Sequence, residues 1–310
     1  MATQISGRNS IVTLHLFQEV TMHLKTLSNL LAFAATIAAH GYVDNVTING
    51  ILYTPNSDPY YATPPPRIVR PVQGNGPITD LTLIDLQCGG YSEGGIVGSK
   101  PANLTGGPVA AGSTVSLRWT LWPESHSGPV ITYMAKCPAA GCSTYLPGTD
   151  AVWFKVQATG RIGNSSVWGD TPLMTAGNSY SYTIPSCLAA GSYLVRHEII
   201  ALHAAWTYPG AQFYPSCHQI QVTGTGTSTG PSSKVSIPGV YTPTDPGITW
   251  EEAEGWDGMG WDERVRKGER IMMVEYLIVR DERCCTYVDI RRQVERTRVM
   301  KDVQFDSSFS

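Results

Sequence analysis

The chain has 310 residues, room for one large or two small domains. Its formal net charge of −3 and pI near 6.2 exclude the broad basic surface with which proteins grip nucleic acid. Charge is unevenly spread: residues 40–250 hold 10 Asp/Glu and 9 Lys/Arg, whereas the last 60 residues hold 14 and 11, so two unlike kinds of sequence are joined.

Residues 22–39, "MHLKTLSNLLAFAATIAA", have the layout of a secretory signal. Lys25 supplies the positive start, "LLAFAATIA" the apolar stretch and Ala39 the small residue at the cut, although Ile37 is a less usual residue three before it. The apolar run is too short for a bilayer core of ~30 Å, which needs roughly 20 residues. Met22 is the better start, because the preceding "MATQISGRNSIVTLHLFQEVT" adds nothing that a signal needs. Residues 1–39 are therefore expected to be an extension and leader, and the working protein to be secreted, with no membrane span.

Three N-x-[ST] sequons fit secretion, making Asn45, Asn103 and Asn164 candidate glycosylation sites. Five cysteines in the same region, Cys88, Cys137, Cys142, Cys187 and Cys217, would be free to pair in an oxidising compartment. Cys137 and Cys142 flank only "PAAG" and could staple a tight loop; Cys88 with Cys217 would close a long one and leave Cys187 odd. Spacing alone leaves the pairing open.

Residues 40–223 read as all-β. The runs 114–122, 151–157, 179–185, 192–202 and 217–224 alternate polar with β-branched or aromatic residues, with Gly, Pro and Asn between them. No helical pattern alternates with these strands, which excludes a parallel α/β sheet and predicts an antiparallel β-sandwich with long loops at 53–80 and 86–112. "TGTSTGPSSK" after Gly224 reads as a linker or surface crossing, and "VSIPGVYTPTDPGIT" regains turn-rich order. The charged segment 250–310 keeps neither strand nor helix period for long, and its adjacent Cys284 and Cys285 lack metal-site spacing. It reads as a disordered or spurious tail.

The chemistry centres on His40. If the leader is removed before it, His40 offers a free α-amine, of pKa about 8, and a ring nitrogen that together chelate one ion. An internal histidine cannot do this, since its backbone nitrogen is an amide. One more imidazole gives three nitrogen donors in a plane, a set that suits copper. His126 lies on a Ser/Gly/Pro-rich turn after a strand, and 196–217 offers His197, His203, Gln212 and Tyr214. Strand alternation puts His197, Ile199 and Ala201 on one face and Glu198, Ile200 and Leu202 on the other, with His203 at the strand's end.

From His40 to about Thr249 the chain resembles the fungal lytic polysaccharide monooxygenases of auxiliary activity family nine. The resemblance is carried, in order, by "HGYVDNVTING", "WPESHSGPVITYMAKC", "WFKVQATG", "SYTIPSCLAAGSYLVRHEIIALH", "GAQFYPSCHQIQVTG" and "PGVYTPTDPGI". It implies an immunoglobulin- or fibronectin-III-like sandwich with a flat face around one copper ion per chain. His40 and His126 match the copper histidine brace, and Tyr214 matches the axial tyrosine that blocks one face of the metal. Gln212 and His203 match the pair that hydrogen-bonds the activated oxygen and can deliver a proton. Cys88–Cys217 and Cys137–Cys142 match family disulfides, and Tyr241 a surface tyrosine that stacks on sugar; Tyr61, with Tyr53 and Tyr60, lies in a loop that could join it.

The resemblance also implies the reaction: an external donor, a small reductant or cellobiose dehydrogenase, reduces copper, and dioxygen or hydrogen peroxide supports hydroxylation of a sugar C–H bond. A glycosidic bond of cellulose or a related β-1,4-glucan then breaks at C1 and/or C4. The expected domains are a leader (1–39), a monomeric catalytic domain (40–249) and the atypical tail (250–310). The rival is a non-catalytic secreted protein that binds copper or carbohydrate. Hydrolysis by paired carboxylates has no support, since nothing places Glu124 and Glu198 in one cleft.

Overall fold

In the structure, a computed structural model, residues 40–53, 67–72, 74–90, 101–162, 165–245 and 248–249 are described. The chain divides into two compact units, Met1–His40 and Gly41–Ser310. His40, half-buried, is the one described residue of the first. The rest of this subsection concerns the second.

Among the described residues nine strands run in chain order: β1 (Val43–Ile48), β2 (Ile51–Tyr53), β3 (Gly106–Ala110), β4 (Thr114–Trp119), β5 (Val130–Lys136), β6 (Phe154–Thr159), β7 (Ser179–Thr183), β8 (Gly191–Ala201) and β9 (Gln212–Thr223). Two short helices, α1 (Asp85–Cys88) and α2 (Thr171–Thr175), and a 3-10 turn over Glu124–His126 complete the regular structure. The strands form two sheets, ordered β2-β1-β4-β7 and β3-β9-β8-β5-β6. This is the expected sandwich, with one exception to its antiparallel character: β3 pairs parallel to β9.

Two apolar layers hold it together. Between the sheets lie Val46, Leu117, Trp119, Tyr182, Val195 and Ile220. The outer face of the larger sheet is not left to solvent: Leu86, Trp153, Leu194, Phe213 and Ile237 form a second layer beneath the long connections. The disulfide Cys88–Cys217 fastens α1 to β9 across this layer, and Cys137–Cys142 closes the turn after β5. Cys187 is disulfide-bonded too, so it is not the odd cysteine that pairing within the region would leave.

Arg196 is the polar strut of the outer layer. Fully buried, it donates Nη2 to Glu198 Oε2 at 2.6 Å and to Leu86 O at 2.7 Å, and Nε to Gln87 O at 3.0 Å. Burying such a pair is tolerable because Nε and Nη2 also find carbonyls while Nη1 faces the Glu198 carboxylate. Glu198 is thus committed to an ion pair, far from any acid–base role.

Across β8, alternation sends the neighbouring His197 the other way, into the inter-sheet core. Its Nδ1 lies 2.8 Å from Thr132 Oγ1, and on β9 His218 Nε2 lies 2.7 Å from Tyr182 Oη. Burial drives both imidazoles down to about 3. These values lie below the unfolded pKa of about 6.5, so in that interval the unfolded chain binds more protons and stability falls as pH falls. Thermal melts of the processed protein from pH 7 to pH 4 should show a falling Tm, and between about pH 6 and pH 4 the unfolding free energy of His218→Gln should change with pH by up to about 1.4 kcal/mol per pH unit less than that of wild type. Parallel slopes for the two proteins would contradict this assignment.

Candidate active site

One end of the sandwich gathers the ends of β4, β6 and β8 and the starts of β1, β5 and β9. The segment 120–129 between β4 and β5 crosses it. Pro123 opens the 3-10 turn, His126 N–H donates to Pro123 O at 3.1 Å, and His126 ends the turn only 6% exposed. Backbone bonds clamp this loop on three sides: Leu202 N to Ser127 O (3.1 Å), Ile200 N to Pro129 O (3.0 Å) and Asp170 N to Gly128 O (3.3 Å). Gly128 has no alternative here, since a Cβ would lie 1.8 Å from Ile200 O.

His203, two residues past β8, is exposed and sets its ring 4.1 Å from that of His126. Gln212 opens β9, and Tyr214, two residues on, shares its side of the strand. The Tyr214 hydroxyl donates to Gln212 Oε1 at 2.7 Å, and the ring centroid is 6.3 Å from His126. His126, His203, Gln212 and Tyr214 therefore converge, whereas His197 lies in the core.

Trp122, which the sequence reading passed over, sits under them. Its indole is edge-on to Tyr214 at 4.9 Å, to His126 at 5.8 Å and to Trp119 at 5.5 Å. Its position four residues before His126 was the available signal. Below it, Asp170 accepts the indole N–H at 2.9 Å, and burial pushes this carboxyl up to about 6.

The residues fit a metal in a particular way. Ser125 Oγ lies 3.0 Å from His126 Nδ1, so Nε2 is the ring nitrogen that His126 could turn to a metal. Burial pushes the Tyr214 phenol far above its ordinary value, so it stays neutral and would meet a metal held at His126 as a phenol rather than as a phenolate. Among the described residues no cluster of three or more His, Cys, Asp or Glu could hold a metal.

The family model described as Auxiliary Activity family 9 (formerly GH61) matches residues 40–257. The chain belongs to that family. Its members are copper-dependent lytic polysaccharide monooxygenases, and this chain is an oxidoreductase of that kind. It is 87% identical over 233 residues to AA9 family lytic polysaccharide monooxygenase F of Botryotinia fuckeliana (strain B05.10), covering 74% of this chain and 93% of the relative. It is 53% identical over 221 residues to monooxygenase B of Malbranchea cinnamomea, covering 70% and 87%. Among solved structures, the extended catalytic domain of H. jecorina LPMO9A superposes with a TM-score of 0.60 at 32% identity, covering 68% of this chain and 84% of that one. A cellulose-active polysaccharide monooxygenase from M. thermophila gives a TM-score of 0.57 at 34% identity, covering 68% and 90%.

Other expected residues of this family 9 chain fall differently. Tyr241 is half-buried, packs on Phe213 with ring centroids 5.2 Å apart, and donates its hydroxyl to Glu198. It is a structural anchor rather than the exposed stacking ring expected of it. Asn45 is corrected likewise: it is 5% exposed on β1, its Nδ2 donating to Asp44 Oδ2 at 2.8 Å, whereas a glycan needs that nitrogen in solvent. Asn103 is exposed. Tyr60, Tyr61 and Asn164 lie outside the described residues. An aromatic that sequence reasoning missed is Trp206, 59% exposed three residues after His203.

Gly128→Ala should be poorly tolerated, because the clashing atom is backbone and the His126 loop must shift. A loss of about 1–3 kcal/mol, read as a lower Tm, is expected; an unchanged Tm would contradict the close approach.

Proposed function

We propose that removal of residues 1–39 frees the His40 α-amine, which with the His40 ring and His126 Nε2 forms a copper histidine brace, one ion per chain. The processed, secreted monomer, residues 40–249, then cleaves β-1,4-glucan oxidatively at C1 and/or C4, with an external reductant and O2 or H2O2. The observation that carries this reading is the convergence of His126, His203, Gln212 and Tyr214 in a chain whose family match begins at His40. The cellulose activity named for the M. thermophila relative supports the choice of substrate.

Copper, when bound, supplies the one-electron chemistry needed to attack a strong C–H bond. The protein supplies the surroundings. Tyr214, neutral and buried, walls off one side and donates its hydroxyl proton to Gln212 Oε1. His203, exposed against His126, is placed to hold or deliver a proton at the open side. A protein that merely stored copper needs neither. Hydrolysis by paired carboxylates is disfavoured as well, because Glu198 is sealed in the Arg196 ion pair while Glu124 is exposed on the His126 turn.

Trp206 takes the stacking role that Tyr241 vacates. Its loop is stiff: Ala205 is buried with its N–H on Leu202 O at 3.1 Å, and a Cβ at Gly210 would meet Ala204 O at 2.0 Å. Such a loop offers an indole, with Tyr208 38% exposed beside it, at little cost in ordering.

Copper-loaded processed protein should release oxidised cello-oligosaccharides only with ascorbate, and His126→Ala should abolish them; products formed without any reductant would contradict the reading. Trp206→Ala should weaken retention on microcrystalline cellulose roughly three- to tenfold while leaving copper affinity unchanged. Unaltered retention would remove Trp206 from the binding face.

A further inference from the structure

Asp170 occupies the N-cap position of α2, where an aspartate ordinarily turns its carboxylate onto the first free N–H groups of the helix, a contact worth about 1 kcal/mol. Here it makes no such bond. The side chain, 0% exposed, turns instead to the indole of Trp122, with Oδ2 2.9 Å from Nε1. Its backbone N–H meets Gly128 O, so one residue grips both the loop that carries His126 and the ring beneath it.

Two further facts argue that this placement is enforced. Oδ1 is buried with no well-formed hydrogen bond, and the carboxyl otherwise meets only the backbone N–H groups of Gly128 and of Asp170 itself, a costly arrangement that an apolar residue would avoid. The preceding Gly169 is wedged so closely that a Cβ would sit 2.1 Å from Thr159 O, which fixes the backbone from which Asp170 projects. A carboxylate that gives up a capping bond to lie buried in this place is holding the indole and the Gly128 backbone. A charge-assisted bond does so more firmly than a neutral one.

We propose that Asp170 is a positioning residue of the active site, fixing His126 and Tyr214 through the Trp122 indole and the Gly128 carbonyl. It touches neither substrate nor metal and acts only through these neighbours. Its relevance to copper rests on the brace reading above; the positioning itself does not.

The test compares Asp170→Ala with Asp170→Asn, which keeps an oxygen for the indole N–H, in metal-free processed protein. The His126 ring signals in NMR spectra should shift and broaden in Asp170→Ala and return close to wild type in Asp170→Asn. If Asp170→Ala does not fold, Trp122→Phe, which keeps a ring but lacks the N–H, should produce the same His126 shift. In copper-loaded samples Asp170→Ala should bind Cu(II) roughly tenfold more weakly, with a changed EPR spectrum, and Asp170→Asn should restore both. Wild-type His126 signals in a folded Asp170→Ala or Trp122→Phe protein overturn the proposal. A wild-type protein that binds no copper would sink the brace while the metal-free spectra still decide the role of Asp170.

Discussion

The period-two alternation of the β8–β9 pair is the constraint on which the rest depends. The two strands are in register over eleven positions, from Gly191↔Val222 to Ala201↔Gln212. That register sends His197 and His218 into one layer, and Arg196 and Glu198 into the other. Where the pairing ends it leaves Gln212 at the rim, with Tyr214 just inside and His203 just beyond. A slip of one residue would exchange the two faces, putting an ion pair among the inter-sheet aromatics and turning Tyr214 away from His126.

The site is consequently made of strand ends and one loop, not of a cleft. Rigid strands set where Gln212 and Tyr214 stand, and three backbone bonds plus a glycine with no room for a side chain set where His126 stands. The layer beneath is largely aromatic and apolar, with the carboxylate of Asp170 set under Trp122. Such surroundings keep the Tyr214 phenol neutral, while His203 stands exposed against the ring of His126. Precision below and access above are what an oxidative site at an open surface demands.

Much of this was legible in the sequence, and the failures have physical causes. β8 and the later part of β9 show where they are because each has flanking turns and alternation. β5 was missed because nearly all of its residues are buried: with both sheet faces covered, alternation vanishes. β9 starts five residues earlier than the expected run at Cys217, because Pro215 reads as a breaker; β3 pairs further along the strand, at Ile220 and beyond, so the proline sits where that ladder is absent. β3, "GGPVA", lies inside an expected loop and becomes a strand only by pairing with distant β9.

At the site, His126, His203, Gln212 and Tyr214 were legible as a set because their order and spacing match a known family. Tyr241 was misjudged because a tyrosine in a Gly/Pro-rich stretch reads as exposed, and nothing local announces that Glu198, 43 residues earlier, takes its hydroxyl. Trp122 and Asp170, 48 residues apart, meet only in the folded chain.

The proposed brace needs a third nitrogen beside the two imidazoles, and the His40 backbone nitrogen becomes a donor only as a chain terminus. N-terminal sequencing of the secreted protein, with its intact mass, is the most direct measurement. His40 as the first residue is the predicted result; any other first residue leaves copper one donor short and contradicts the brace.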